Sequence, residues 1–169
     1  NVLVGGGIDR GNLVSANAHG GIVVLDGATG VTVRGNFVGV DRTGERDRGN
    51  GGTGVEIKDS PGVVIGGAAE GEGNTISGNG GYGLSVSGES AGARILGNRI
   101  GASHVGGLAV PNELDGIWIE SPGAVIGSAA PFGANVIAGN RGSGVVLDAS
   151  GAVVVNNRVG FGTGPVVIG

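Results

Sequence analysis

The stretch Asn74-Thr-Ile-Ser-Gly-Asn79, followed by the alternating segment Gly83-Leu-Ser-Val86, decides the fold of this chain. The same six-residue pattern occurs earlier at residues 12–17 and later at residues 135–140, at intervals of 62 and 61 residues. The Gly-led segment also returns, for example as Gly116-Ile-Trp-Ile119. Self-similarity at a fixed interval indicates a repeat architecture, in which each repeat packs against its neighbours.

Each long repeat contains two coils. An Asn followed two residues later by Val or Ile marks the start of each coil, and the coils start near Asn12, Asn36, Asn74, Asn98, Asn135 and Asn157. Each coil has three short apolar strands, and no segment has helical periodicity. We therefore predict one all-β domain over residues 1–169. The predicted fold is a single-stranded right-handed parallel β-helix (β-solenoid) of about five to six coils, with three short strands per coil.

The strands alternate with a period of two. One strand of each coil is led by Gly, at Gly21, Gly54, Gly83, Gly116 and Gly144, with a weaker sixth copy at Gly164. A further short strand closes each coil, at residues 31–33, 63–65, 93–95, 124–126 and 153–154. Alternation sends Ile117 and Ile119 to the core and Trp118 to the outside, and like residues of successive coils should lie about 4.8 Å apart.

The recurring Asn that starts each coil is predicted to point inward at a bend. There its amide can donate to and accept from the Asn one coil away, which gives a ladder with few unpaired buried groups. A second set, Asn17, Asn79 and Asn140, recurs only in every other coil. Two interpretations stay open for this set: a second ladder, or surface turn residues that tolerate left-handed backbone.

Composition excludes several classes of function. Hydrophobic residues make up 39% and charged residues 14%, a balance that opposes disorder despite 42 Gly. The net charge is −4 without a basic cluster, so nucleic acid is not an expected partner. No apolar run predicts membrane insertion, and the absence of Cys excludes disulfides and thiol chemistry. Both ends of the chain fall within a repeat, which predicts end-to-end self-association through uncapped coils.

The phrases Gly35-Asn-Phe-Val-Gly-Val-Asp-Arg-Thr-Gly44 and Gly73-Asn-Thr-Ile-Ser-Gly-Asn79 carry a family resemblance. They resemble the right-handed parallel β-helix repeat region (pectin-lyase-like fold) of large bacterial secreted and surface proteins. The resemblance covers essentially the whole chain and implies an extracellular or cell-surface location. It implies less about function, because this scaffold carries lyases, hydrolases, epimerases, adhesins and passive stalks.

The outward columns of the Gly-led strands supply the candidate ligand-binding residues, which are Trp118, Glu56 and Glu120. The first column reads Val23, Glu56, Ser85, Trp118 and Val146, and the next reads Leu25, Lys58, Ser87, Glu120 and Asp148. A Trp on this face can stack on a sugar ring while the carboxylates supply hydrogen bonds. The alternative is that a loop or another part of the protein covers the Trp.

Two loops, 40–53 and 102–115, lie two coils apart and should stack on one side of the solenoid. They hold Asp41, His104, Glu113 and Asp115, together with charges of both signs such as Arg46. Such a set could form an active site or a self-neutralising solvated loop. We assign no catalytic residue, no metal ligand and no cofactor.

The favoured function is a structural or interaction module, a spacer or adhesive stalk of a secreted or cell-surface bacterial protein that binds a polysaccharide or cell-surface glycan. The alternative is a carbohydrate-active enzyme domain, either a polysaccharide lyase, a hydrolase or an epimerase, with its site in the stacked loops. These two functions differ in whether Asp41, His104, Glu113 and Asp115 converge in one cleft.

Overall fold

The computed structural model describes residues 1–105 and 107–160, and within these residues the chain is an all-β parallel solenoid of about five turns without any helix. No described segment is a helix long and apolar enough to cross a membrane. The predicted fold class and the three strands per coil are confirmed. The weaker sixth Gly-led copy at Gly164 lies outside the described residues.

Three parallel sheets run along the rod. Sheet A contains β1 (Val2–Gly5), β4 (Val31–Arg34), β7 (Val64–Gly66), β10 (Arg94–Leu96), β13 (Val125–Ile126) and β16 (Val153–Val154). Sheet B contains β2 (Leu13–Val14), β5 (Phe37–Val38), β8 (Thr75–Ile76), β11 (Arg99–Ile100), β14 (Val136–Ile137) and β17 (Arg158–Val159). Sheet C contains β3 (Ile22–Val24), β6 (Val55–Lys58), β9 (Leu84–Ser87), β12 (Ile117–Ile119) and β15 (Val145–Leu147).

The core is a set of aliphatic columns that the alternation of each strand sends inward. In β12, Ile117 and Ile119 are buried while Trp118 between them is half-buried on the outside. Ile117 pairs in register with Leu84 of β9 and Val145 of β15, so like residues stack from coil to coil. An isolated coil could not bury this interior, so the stack forms its core together.

The first Asn set forms the predicted ladder. Each side-chain amide nitrogen donates to the amide oxygen of the Asn one coil further on, at 2.8–3.1 Å, in the series Asn12, Asn36, Asn74, Asn98, Asn135 and Asn157. The backbone N–H of each donates to the same oxygen, also at 2.8–3.1 Å. Since every donor points the same way, the ladder has a direction along the rod.

The second Asn set is a ladder as well, and it is complete. Side-chain amide bonds of 2.7–2.9 Å connect Asn17, Asn50, Asn79, Asn112 and Asn140 in consecutive coils. The predicted recurrence in every other coil is therefore wrong, because Asn50 and Asn112 occupy the intervening coils. Asn79 is fully buried, so the interpretation as a surface turn residue is wrong for it.

Long loops leave the coils on both sides of sheet B, in alternate coils. Residues 6–11, 67–73 and 128–134 precede β2, β8 and β14, whereas the loops after Val38 and after Ile100 follow β5 and β11. The loop after Val38 and the loop after Ile100 lie two coils apart and contact each other, as predicted from their positions. The backbone N–H of His104 donates to the Gly44 carbonyl at 2.8 Å, and that of Val105 donates to the Glu45 carboxylate at 3.1 Å.

Candidate functional site

The outer face of sheet C carries the predicted column of outward residues. The register pairs Val23 with Glu56, Glu56 with Ser85, Ser85 with Trp118 and Trp118 with Val146. Neighbouring strands lie about 4.8 Å apart, so the column is a straight stripe parallel to the rod axis. Glu56 and Trp118 are two coils apart in this stripe, which separates their backbones by roughly 9–10 Å.

Trp118 does not stand alone on this face, because the Tyr82 ring lies against it. The two ring centroids are 5.4 Å apart and the ring planes are tilted by 33°. Both side chains are half-buried, so each keeps part of its ring surface open to solvent. Aromatic pairs at this separation stabilise each other beyond the area that they bury. We call this pair of contacting rings, formed by residues of adjacent coils, the aromatic platform.

Sequence reasoning missed Tyr82, because it lies in the turn before β9 and outside the two outward columns. Its backbone carbonyl accepts the Gly54 N–H at 2.9 Å, which fixes it at the start of the strand. One signal could have found it. The only Tyr of the chain lies three residues before Ser85, and Ser85 is in register with the only Trp.

Two carboxylates flank the aromatic platform and have no partner in the described residues. Glu56 is half-buried in β6, and Glu120 is exposed just after β12. Neither side chain makes a hydrogen bond or an ion pair within the part of the chain that the structure describes. Ionised carboxylates accept hydrogen bonds only, so both can accept from the hydroxyl groups of a ligand on this face.

Asp41, Glu113 and Asp115 of the stacked loops each bond to a different partner. Asp41 accepts from the Thr43 hydroxyl at 2.7 Å, and this bond, more than the backbone N–H groups of its loop, lowers the pKa of Asp41. Glu113 pairs with Arg141 at 2.8 Å. Asp115 accepts the backbone N–H of Ser143 at 2.6 Å. These bonds hold turns together, which is a structural use of the carboxylates.

His104 contacts a different set of residues. Its ring stands edge-on to Phe37, with centroids 4.9 Å apart, and its Nδ1 is 3.1 Å from the Thr75 hydroxyl. Partial desolvation lowers the pKa of His104 from its ordinary value, and the nearby Arg99 guanidinium lowers it further, while Glu45 opposes both. Among the described residues, no hydrogen bond joins His104 to the loop carboxylates, and no group of three or more His, Cys, Asp or Glu side chains could hold a metal ion.

No protein-family model matches this chain, and no curated protein or solved structure is significantly similar to it. The parallel β-solenoid is therefore established by the coil geometry alone. The narrower attribution to pectin-lyase-like proteins and to bacterial surface proteins rests on the sequence phrases quoted above.

Proposed function

We propose that this chain is a rigid interaction module that binds a glycan along the outer face of sheet C. The observation that carries the proposal is the contact of Tyr82 with Trp118, an aromatic platform on an otherwise sparsely aromatic protein with three Phe, one Tyr and one Trp. A sugar ring packs its C–H face on an aromatic ring, and its hydroxyl groups hydrogen-bond to polar groups at the edge.

The direction of the stripe supports an extended glycan. Glu56, Ser85 and Trp118 are aligned in successive coils, so a polymer lying parallel to the rod axis would contact all three. Glu120 lies two residues beyond Trp118 on the same face and can accept hydrogen bonds from the side of such a chain. The site needs little rearrangement, because the strands below it are paired in register, and preorganised sites lose less free energy on binding.

The remainder of the proposal rests on the family resemblance. A solenoid of this kind serves as a spacer or adhesive stalk, and the resemblance to large bacterial secreted and surface proteins favours an extracellular or cell-surface location. The two Asn ladders support the stalk role. Hydrogen-bonded side-chain networks that are fully satisfied make a structure rigid.

The enzyme alternative lacks a supporting observation of this kind. Glycoside hydrolysis needs two carboxyl groups on opposite sides of one scissile bond, whereas Asp41 bonds within its own turn, and Glu113 and Asp115 bond to Arg141 and Ser143 of the neighbouring coil. A polysaccharide-depolymerisation screen with and without calcium tests this alternative directly. Release of shorter products from any polysaccharide would overturn the non-enzymatic proposal and direct attention to these three carboxylates.

A glycan array followed by titration calorimetry tests the binding proposal. For a glycan bound by the wild-type chain, we expect Trp118→Ala and Tyr82→Ala to raise Kd about tenfold or more, which corresponds to about 1.4 kcal/mol per tenfold change. Phe132→Ala is the matched control, because Phe132 is an exposed aromatic on a loop away from sheet C. Far-UV circular dichroism checks the fold of each variant. An array without any bound glycan, or equal losses in all three variants, would contradict the proposal.

A further inference from the structure

A groove crosses the outer face of sheet B, on a different side of the rod from the aromatic platform. Its floor is formed by the outward side chains of β8, β11 and β14, namely Thr75, Arg99 and Val136. The loops before β2, β8 and β14 build one wall, where Ile8 and Phe132 lie, and His104 stands on the other side. We call this the sheet-B groove. It is open to solvent along one side, has a volume of about 570 Å³ and continues into a depression of about 490 Å³ lined by Phe37 and Arg42.

The apolar wall is held in place by close contacts to glycine. A side chain at Gly71 would meet the Ile8 side chain at 2.5 Å, so Ile8 packs directly over that glycine. A side chain at Gly97 would meet the Phe132 carbonyl at 2.4 Å. Even so, Ile8 is 61% and Phe132 51% exposed, which leaves two large apolar side chains facing solvent at the same groove.

Arg99 is the charged group on the floor. Its side chain makes no hydrogen bond or ion pair within the described residues, whereas Arg34 and Arg141 pair with Glu72 and Glu113. Arg99 is half-buried in the strand and is close enough to lower the pKa of His104. A guanidinium presents a planar fork of N–H donors that matches a carboxylate, sulfate or phosphate group.

His104 adds a neutral donor beside this guanidinium. Its pKa is lowered from 6.5, so the uncharged ring predominates at neutral pH. When the Thr75 hydroxyl donates to Nδ1, the ring proton lies on Nε2, and that N–H is then available to an acceptor. Glu70 is the only carboxylate among the described residues that line the larger part of the groove, and it is exposed at the rim.

We infer that the sheet-B groove binds a small organic anion with an apolar, ring-sized body. The anionic group is held by Arg99, with His104 beside it, and the body packs against Phe132 and Ile8. This inference is independent of the glycan proposal, because the two sites lie on different sheets and share no residue.

Two-dimensional amide NMR with isotope-labelled protein tests the inference, with phenyl phosphate as the probe and inorganic phosphate as the anion without a ring. We expect saturable shifts at Thr75 and Arg99 on addition of phenyl phosphate, and binding of inorganic phosphate at least tenfold weaker. Arg99→Gln should weaken phenyl phosphate tenfold or more. Arg99→Lys, which keeps the charge but loses the fork, should give an intermediate loss.

Arg94→Gln is the matched control. Arg94 lies five residues before Arg99 in the chain, on the outer face of sheet A, and the substitution removes the same charge. It should leave the affinity unchanged, whereas Phe132→Ala should weaken phenyl phosphate and leave inorganic phosphate unaffected. Absence of saturable shifts, equal affinity for the two probes, or equal losses in the Arg94 and Arg99 variants would overturn the inference. Trp118→Ala separates it from the glycan proposal, because that variant should retain phenyl phosphate binding.

Discussion

Replacement of Asn98 by Ala is expected to show how much one rung of the first ladder stabilises the rod. Asn98 is fully buried, and its amide oxygen accepts from the backbone N–H of Asn74 at 3.0 Å and from the Asn74 side chain at 2.8 Å. Its own amide nitrogen donates to the Ile65 carbonyl at 2.9 Å and to the Asn135 side chain at 3.1 Å. Four hydrogen bonds of a fully buried side chain are therefore lost together.

The expected free energy follows from the groups left without a partner. The Asn74 backbone N–H loses its acceptor entirely, while the Asn74 side chain keeps its bond to the Val33 carbonyl at 2.9 Å. The Asn135 oxygen still accepts the Asn98 backbone N–H at 2.8 Å. Each buried group that is left unpaired costs about 1–3 kcal/mol. With one group fully unpaired and others partly so, we expect Asn98→Ala to lower the free energy of unfolding by about 3–5 kcal/mol.

Asn12→Ala is the matched control on the same ladder. Asn12 is exposed, and its side chain is a donor to Asn36 alone, while the Asn12 backbone N–H continues to satisfy the Asn36 oxygen. We expect a loss below about 1 kcal/mol. Urea unfolding followed by the fluorescence of Trp118, the only Trp of the chain, measures both. If the two variants lose the same free energy, the ladder does not act through buried hydrogen bonds and the reasoning is refuted.

Three further expectations concern the turns, the core and the stacked loops. Gly66→Ala should lower the Tm far more than Gly62→Ala. Both glycines have positive φ, which costs an L-residue roughly 1–2 kcal/mol, but a Cβ at Gly66 would lie 1.9 Å from a backbone carbonyl of the next coil, whereas nothing lies within 4 Å at Gly62. Equal Tm values of the two variants would contradict this. Ile95→Ala should cost about 2–5 kcal/mol in urea unfolding, because the side chain is fully buried, and a cost under about 1 kcal/mol would show that the core collapses around the cavity. The pKa of His104, measured by NMR titration, should lie below 6.5, and Glu45→Gln should lower it further because it removes the opposing negative charge. The folded chain binds the His104 proton less readily than the unfolded chain, so the free energy of unfolding should fall as the pH drops from 6.5 through the folded pKa. A measured pKa above 6.5 would contradict the contacts described for His104.

The coil repeat could be predicted because like residues recur at regular intervals along the sequence. Asn74 and Ile76, or Ile117 and Ile119, recur at positions that only a stacked coil explains, and the register confirms the outward stripe through Glu56. Period-two alternation determines which side of a strand is buried, and that rule needs no knowledge of the rest of the fold.

Two of the five members of the second ladder could not be predicted by the same rule. Asn50 and Asn112 each follow a long loop, so their distance from the preceding strand differs from that of Asn17 or Asn79. Loops absorb extra residues without moving their ends, and sequence spacing then no longer reports spatial alignment. The sequence shows that both residues are Asn, but only the structure shows that they lie at the same bend as Asn17, Asn79 and Asn140.

The candidate sites are harder to predict from the sequence than the ladders. Trp118 and Glu56 were found because they belong to strands, whereas Tyr82 reaches the same face from a turn. The sheet-B groove depends on loops from several coils, with Ile8 and Phe132 far apart in the chain and His104 contributed from the opposite side. Proximity of this kind arises from loop conformation, which a periodic pattern does not encode.

The alternation of long and short loops restricts how a protein of this design can grow. The backbone N–H of His104 reaches the Gly44 carbonyl across one coil with a short loop. A duplication that inserted a single coil would either place two long loops in adjacent coils or separate the two contacting loops by one coil more. Insertion of a pair of coils preserves every contact of the kind that this loop makes. The heritable module of such a rod is therefore the double coil of 61–62 residues, whose interval the sequence repeats, and natural variation in its length should come in those steps.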